Sequence, residues 1–364
     1  WLQKRGSISR KVFWASVGHR LVYAVWIFLP FFLLPQGQIN ALIALVFLMS
    51  IPGTALAVGF NAMFAATVPV EWRSHVTGIR NALLAVTFIT VSLLCGWLLE
   101  ALPFPLGYQV VFAIGAIGSV FSSYHLWQIR PLHEDSYVPR HGQSVGDLAR
   151  PGTVRVWSGG MRTAVADWRF LLNRRPRAKG EKPQTIDHAF QLILLTMFFF
   201  HLAQYLPLSL FPLYWVNYLR LTDQNIGLGN AVFYGTVLLA STQLSRLSRR
   251  LSQHAILVIG VVGMSLYPVL TAVTRDLTLF LVVSAVGGIT WGLVSGSQAN
   301  YLLERIPEDR RPAYLAWYNL ALNAAVLIGS LGGPVLAGRI GLVETLFLAG
   351  AARFLASLFV WRRG

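Results

Sequence analysis

Polar side chains recur at helical spacing inside otherwise apolar stretches of this chain. His201, Gln204 and Tyr205 stand at i, i+3 and i+4, on one face of any helix that carries them. Trp291, Ser295 and Gln298 align at i, i+4 and i+7, and Ser50, Thr54 and Asn61 at i, i+4 and i+11. Asn230 with Tyr234, and Asn319 with Asn323, each stand one turn apart. An imidazole, amides, hydroxyls and an indole can hydrogen-bond a solute or one another. Only His201 could also carry a proton near neutral pH, since a free imidazole titrates at about 6.5.

The acids inform by their placement. All 14 Asp and Glu residues lie in loops or near the ends of apolar runs. No acid pair, Asp-rich metal motif or clustered histidine set stands at one end of those runs. Catalytic residues, a metal and a cofactor are therefore not expected. The same hydroxyls and amides can also serve as glue between helices, and His201 can be a satisfied core histidine.

The elements that must position these groups follow from composition. Hydrophobic residues make up 55% of the 364 and charged residues 12%, with a mean hydropathy of +0.57. A soluble chain carries about 25% charged residues. Apolar runs of roughly 20 residues, enough to cross a bilayer, recur from end to end. Ten spans are predicted, at roughly 13–35, 39–67, 79–100, 107–129, 188–216, 226–246, 254–274, 277–302, 313–337 and 341–361. They should be helices, because backbone in lipid must satisfy itself and alternating barrel strands are absent. The fold class is thus an all-α polytopic membrane protein. Cys95, the one cysteine, lies in an apolar run, so no internal disulfide forms.

Lys and Arg outnumber Asp and Glu by 30 to 14, and they fall on alternate loops. One set of loops holds Lys4, Arg5, Arg10, Lys11, Arg73, Arg80, Arg246, Arg249, Arg250, Arg305, Arg310, Arg311, Arg362 and Arg363. The opposite set holds Arg220, Arg275 and Arg339. Basic loops stay cytoplasmic, so both ends of this chain are expected there, in a plasma (inner) membrane. The net charge of +16 is then a topology signal. Nucleic acid is not expected as a partner, because the bases are spread over several loops with no recognition motif. Arg353, inside the last span, is expected to snorkel to the cytoplasm, with anion binding as the second reading.

Residues 130–186 form the one long polar stretch, with 11 bases against five acids and with Trp157, Trp168 and Phe170 among them. A solvated cytoplasmic linker is the plainer reading, and a partly amphipathic piece on anionic headgroups the other. It divides the chain into 1–129, the central loop, and 187–364.

Two passages repeat each other. "PVEWRSHVTGIRN" (Pro69–Asn81) and "PEDRRPAYLAWYN" (Pro307–Asn319) both run from Pro to Asn, with Glu71 matching Asp309 and Arg73 matching Arg311. "LGYQVVFAIGA" from Leu106 is similarly echoed by "IGLVETLFLAGA" from Ile340. Trp1 then aligns with Leu239, which leaves residues 187–238 without a counterpart. The expectation is a twelve-helix protein in two six-helix halves, of which this sequence carries helices three to six and seven to twelve.

Two six-helix repeats, a long basic central loop and charged loops after the fourth and tenth helices resemble the major facilitator superfamily. The loop signature of that family has a Gly, an Asp and closely spaced bases. "LQKRGSISRK" keeps Gly6 and four bases without the Asp, and "LSRLSRRLSQ" keeps only the arginines. "GSLGGPVLAG" (Gly329–Gly338) is similar to a Gly-Pro motif of antiporter members but falls in a different helix. The resemblance implies a secondary transporter that moves a small solute by alternating access. Helices one, four, seven and ten would line the cavity, which favours the His201 and Trp291 clusters as substrate contacts. It also makes Glu71, Arg73, Asp309 and Arg311 cytoplasmic gate candidates; plain positive-inside anchoring explains them equally well. The neutral, amide-rich lining favours an uncharged, amphipathic or hydroxylated solute over a dianion. A monomer in the lipid bilayer is expected, with any proton coupling resting on His201. The rival readings are a transporter-like sensor or scaffold acting through the central loop and, further off, an integral membrane enzyme. Gly288, Gly292 and Gly296 form a small-residue ridge whose role is close helix packing.

Overall fold

The computed structural model describes residues 8–69, 72–129, 187–306 and 311–363, and these are helical almost throughout. The helices are α1 (Ile8–Phe32), α2 (Pro35–Thr67), α3 (Arg73–Ala101), α4 (Leu106–Gln128), α5 (His188–Tyr205) and α6 (Leu210–Asn217). They continue with α7 (Asp223–Leu247), α8 (Gln253–Val273), α9 (Leu277–Glu304), α10 (Arg311–Ile340) and α11 (Leu342–Arg363). Among the described residues, nine segments are long and apolar enough to cross a membrane, with α5 and α6 counted as one. The predicted tenth is α7. It has the length, but Asp223, Gln224, Asn225, Asn230, Gln243 and Arg246 dilute its apolar character. The central loop 130–186 lies outside the described residues.

Local chemistry sets the helix ends. Thr222, Ser252 and Asp276 cap α7, α8 and α9 by accepting from the backbone N–H of Asn225, Ala255 and Leu279 at 3.3, 3.1 and 2.8 Å. Such caps satisfy donors that a helix start leaves open. α3 and α10 begin at Arg73 and Arg311, the matched arginines of the two repeated passages. The first span ends at Phe32, earlier than expected, because Pro35 opens α2.

The predicted span 188–216 is interrupted. α5 stops at Tyr205, residues 206–209 form a turn, and α6 restarts at Leu210. Pro207, which has no N–H to give, makes the break. Pro212 sits in the first turn of α6, where a missing N–H costs nothing.

The helices cluster into two compact units. In the first, α1 packs on α2 and α4. Val12, Met63 and Leu126 form its buried core with Leu56, Phe60 and Ile129 around them. The α1–α4 seam is polar: Ser16 Oγ meets Ser123 Oγ at 3.0 Å, and Arg20 Nη1 donates to Ser123 Oγ at 2.9 Å. His19 Nδ1 lies 3.0 Å from Met49 O of α2.

The second unit holds α5 to α11 together with residues 79–97 of α3. Within it α9 packs on α7 and α8, α11 on α8 and α5, and α10 on α5. One buried cluster gathers Phe190, Met197, Phe200, Leu257, Val261, Val294, Tyr314 and Tyr318. The other gathers Leu210, Phe211, Tyr214, Tyr267, Val283 and Leu346 around α6. The glycine ridge of α9 does what its spacing suggests. A Cβ on Gly292 would lie 2.7 Å from Ala240 Cβ, and Cβ atoms on Gly288 and Gly296 would meet Thr236 and Leu244 of α7. Large apolar side chains such as Phe32 and Phe47 stay exposed, which suits a surface solvated by lipid rather than water.

Candidate functional site

The second unit draws the two leading polar clusters of the sequence together. His201 of α5 and Gln298 of α9 approach to 2.9 Å between their Nε2 atoms. Tyr318 of α10 completes a triangle, with its hydroxyl 2.9 Å from His201 Nε2 and accepting from Gln298 Nε2. His201 and Tyr318 are both buried. Three helices each contribute one polar tip to a single point, and around it Phe200, Met197, Val294 and Trp291 are apolar.

Two proton arrangements suit this triangle. With the Gln298 amide donating to the tyrosine oxygen, the Tyr318 O–H donates to His201 Nε2, and the imidazole is neutral with its proton on Nδ1. With the amide turned over, His201 Nε2–H donates to Tyr318 and the tyrosine O–H donates to Gln298 Oε1. The second arrangement alone admits a doubly protonated imidazole. The triangle can therefore run in either direction, and a proton on His201 turns Gln298 over.

Gln204 is buried beside it on the same face of α5, and its Oε1 has no hydrogen-bond partner among the described residues. A buried acceptor left unmet costs about 1–3 kcal/mol, so a hydrogen-bond donor brought there would be held. Tyr205 is half-buried with its ring centroid 6.5 Å from that of His201.

The remaining candidates are not members of the triangle. Trp291 is packed against the core cluster. Ser295 Oγ donates to Gly292 O of its own helix at 3.4 Å. Asn323 Nδ2 donates to Asn319 O at 2.7 Å, a bond along α10. Tyr234 of α7 stacks on Phe88 at 4.6 Å between centroids, and Asn230 is half-buried one turn before it. Asn61 lies in α2, in the first unit. Of the gate candidates, Glu71 and Asp309 lie outside the described residues, and Arg73 and Arg311 open α3 and α10.

Two residues of consequence, Tyr318 and Arg20, escape the sequence reading, and the expectation for a third, Arg353, is overturned. Tyr318 stands next to Asn319 and was hidden among aromatic core positions; its signal was the Tyr314–Tyr318 spacing on the buried face of α10. Arg20 sits in the middle of α1, and an arginine there was signal enough. Arg353 does not snorkel. It is 1% exposed and donates to Ala203 O, Gln204 O and Met264 O. Carbonyls within reach inside the unit hold it in place of the headgroup layer.

Residues 193–364 match the family model of the Major Facilitator Superfamily. No curated protein matches the chain by sequence. Solved structures match over nearly all of it at low identity, which shows the fold. A POT family transporter in complex with a thioalcohol conjugated peptide is 13% identical with a TM-score of 0.70, over 100% of this chain and 82% of that one. The xylose transporter XylE from E. coli, in a partially occluded inward open conformation, is 14% identical with a TM-score of 0.62, over 98% and 79%. The human organic anion transporter MFSD10 (TETRAN) is 14% identical with a TM-score of 0.57, over 97% and 77%. The chain is a multi-pass membrane protein whose residues 193–364 match the Major Facilitator Superfamily.

Proposed function

We propose that this protein is a secondary transporter that moves a small, uncharged, hydrogen-bonding solute by alternating access of two halves. The observation that carries the proposal is the polar point built by His201, Gln298 and Tyr318 from three helices, beside the unmet acceptor of Gln204. Polar groups are costly inside a membrane and mark solute or ion pathways. These are neutral amides, a phenol and an imidazole, which suit a hydroxylated or amphipathic solute. Of the similar structures, the xylose transporter is the nearer guide to such chemistry than the organic anion transporter. Every described acid within a helix lies in its first or last turn, so proton coupling through these helices would fall to a buried imidazole, His201 at the triangle or His19 in α1. The protein acts as a monomer in the plasma membrane, with residues 130–186 and both ends of this chain on the cytoplasmic side.

Counterflow tests the proposal. Proteoliposomes loaded with one unlabelled solute at a time, from a panel of sugars, polyols and organic anions, are diluted into trace labelled solute. Transient accumulation of a neutral hydroxylated solute is expected. Accumulation of organic anions alone would contradict the solute class. Failure of the whole panel would favour a sensor acting through the central loop.

A further inference from the structure

The guanidinium of Arg353 meets three backbone carbonyls, and each is one that its own helix cannot satisfy. In an α-helix the carbonyl of residue i accepts from the N–H of residue i+4. For Ala203 that donor would come from position 207, which is proline and has no N–H. For Gln204 it would come from Leu208, whose N–H turns instead to Tyr205 O at 3.3 Å. For Met264 it would come from position 268, and Pro268 stands inside α8. Arg353 donates to all three: Nε to Ala203 O at 3.2 Å, Nη2 to Gln204 O at 2.8 Å, and Nη1 to Met264 O at 3.0 Å. One planar fork of donors thus caps the carbonyls left open by two prolines on two helices. Its charge also faces the C-terminal carbonyls of α5, the end of a helix that attracts cations.

The same break is seated from the other side. A Cβ on Gly329 of α10 would lie 2.9 Å from Leu202 O and 3.1 Å from Leu206 N, and one on Gly333 would meet Leu206 O. Glycine lets α10 close on the turn, while Arg353 ties the turn to α8. Gln204 belongs to this clamp through its carbonyl, and His201 stands just under one turn before it on α5.

We propose that Arg353 is a positioning residue for the solute site. By pinning the interruption between α5 and α6 to α8, it fixes where His201 and Gln204 stand against Gln298 and Tyr318. Solute contact at that turn is the reading proposed above, on which the word site rests; the clamp stands without it. Water cannot take over these carbonyls in a hydrocarbon setting. Lysine cannot either, because a point charge does not reproduce a planar fork spread over two helices.

The test uses the full chain in lipid nanodiscs, as wild type, Arg353→Lys, Arg353→Ala, and Arg353→Ala combined with Pro207→Ala and Pro268→Ala. Two signals are read: amide hydrogen exchange of peptides covering 202–211 and 262–269, and the imidazole resonances of His201, assigned by their loss in His201→Gln. Both single variants are expected to speed exchange in those peptides on the order of tenfold, as the loss of a buried hydrogen bond predicts, and to shift the His201 resonances. Peptides of α1 and α2 should stay at wild-type rates. Methylguanidinium should restore both signals in Arg353→Ala, and so should the two alanines, which return the missing N–H donors. Wild-type exchange and unshifted His201 resonances in the single variants would overturn the proposal. So would a uniform rise over all helices that neither methylguanidinium nor the alanines reverse. Should Arg353→Ala not fold, Arg353→Lys, which keeps the charge, carries the same comparison. Failed counterflow with these results intact would remove the solute reading and leave the clamp.

Discussion

Tyr318→Phe deletes one oxygen from the centre of the polar triangle and leaves the ring in place. That oxygen lies 2.9 Å from His201 Nε2 and accepts from Gln298 Nε2, so two hydrogen bonds go at once. Each is worth about 0.5–1.5 kcal/mol net. The third edge survives, because Gln298 Nε2 and His201 Nε2 already stand 2.9 Å apart and the amide can donate to the imidazole. The cost therefore falls nearer one bond than two, about 1–2 kcal/mol, with no cavity term since the ring still fills its place. If the triangle binds solute, that energy appears as a rise of about 5- to 30-fold in the half-saturating concentration, measured by counterflow with the solute the wild type accepts. Thermal melting of the purified protein reports the part of the cost borne by the fold. The reasoning fails if half-saturation and melting temperature both match the wild type. A lowered melting temperature with unchanged half-saturation would make Tyr318 a fold residue alone.

Gln204→Ala removes a buried acceptor beside the triangle that has no partner among the described residues; half-saturation should rise about fivefold, the worth of one hydrogen bond, while melting holds or improves. Gly292→Val places a Cβ 2.7 Å from Ala240 Cβ, and such overpacking costs about 1–3 kcal/mol, so a clear fall in melting temperature is expected. Topology is checked with single cysteines in a Cys95→Ser background: Asp223→Cys should react with an impermeant maleimide in intact cells and Trp157→Cys should not, and the reverse pattern would invert the orientation.

Much of the fold was legible because a membrane imposes its terms on sequence directly. Apolar runs of bilayer length marked the spans, and the repeated Pro-to-Asn passages marked equivalent helix starts, realised at Arg73 and Arg311. α7 read as a span by length and spacing although its polar residues dilute it. The site was half legible. Spacing put His201 and Gln298 on faces of two helices, but their meeting depends on how α5, α9 and α10 cross, which no periodicity contains. Tyr318 was hidden for that reason. Trp291, Ser295 and Asn323 have equally regular spacing, and spacing does not foretell that Trp291 packs against the core cluster or that Ser295 and Asn323 bond along their own helices. Arg353 was misread because its counter-groups are backbone carbonyls exposed by prolines 146 and 85 residues earlier in the chain, a pairing that side-chain charge alone does not reveal.

The central claim is that solute meets the protein at His201. Counterflow of the accepted solute by wild type and His201→Ala, in parallel proteoliposomes and alongside thermal melts of the same preparations, tests it most directly. Exchange should be abolished in His201→Ala even at an assay temperature well below its melt, which the cavity and the two lost hydrogen bonds should lower. Exchange at the wild-type rate per molecule, with a lowered melting temperature, would show His201 to be a packed core residue and contradict the account.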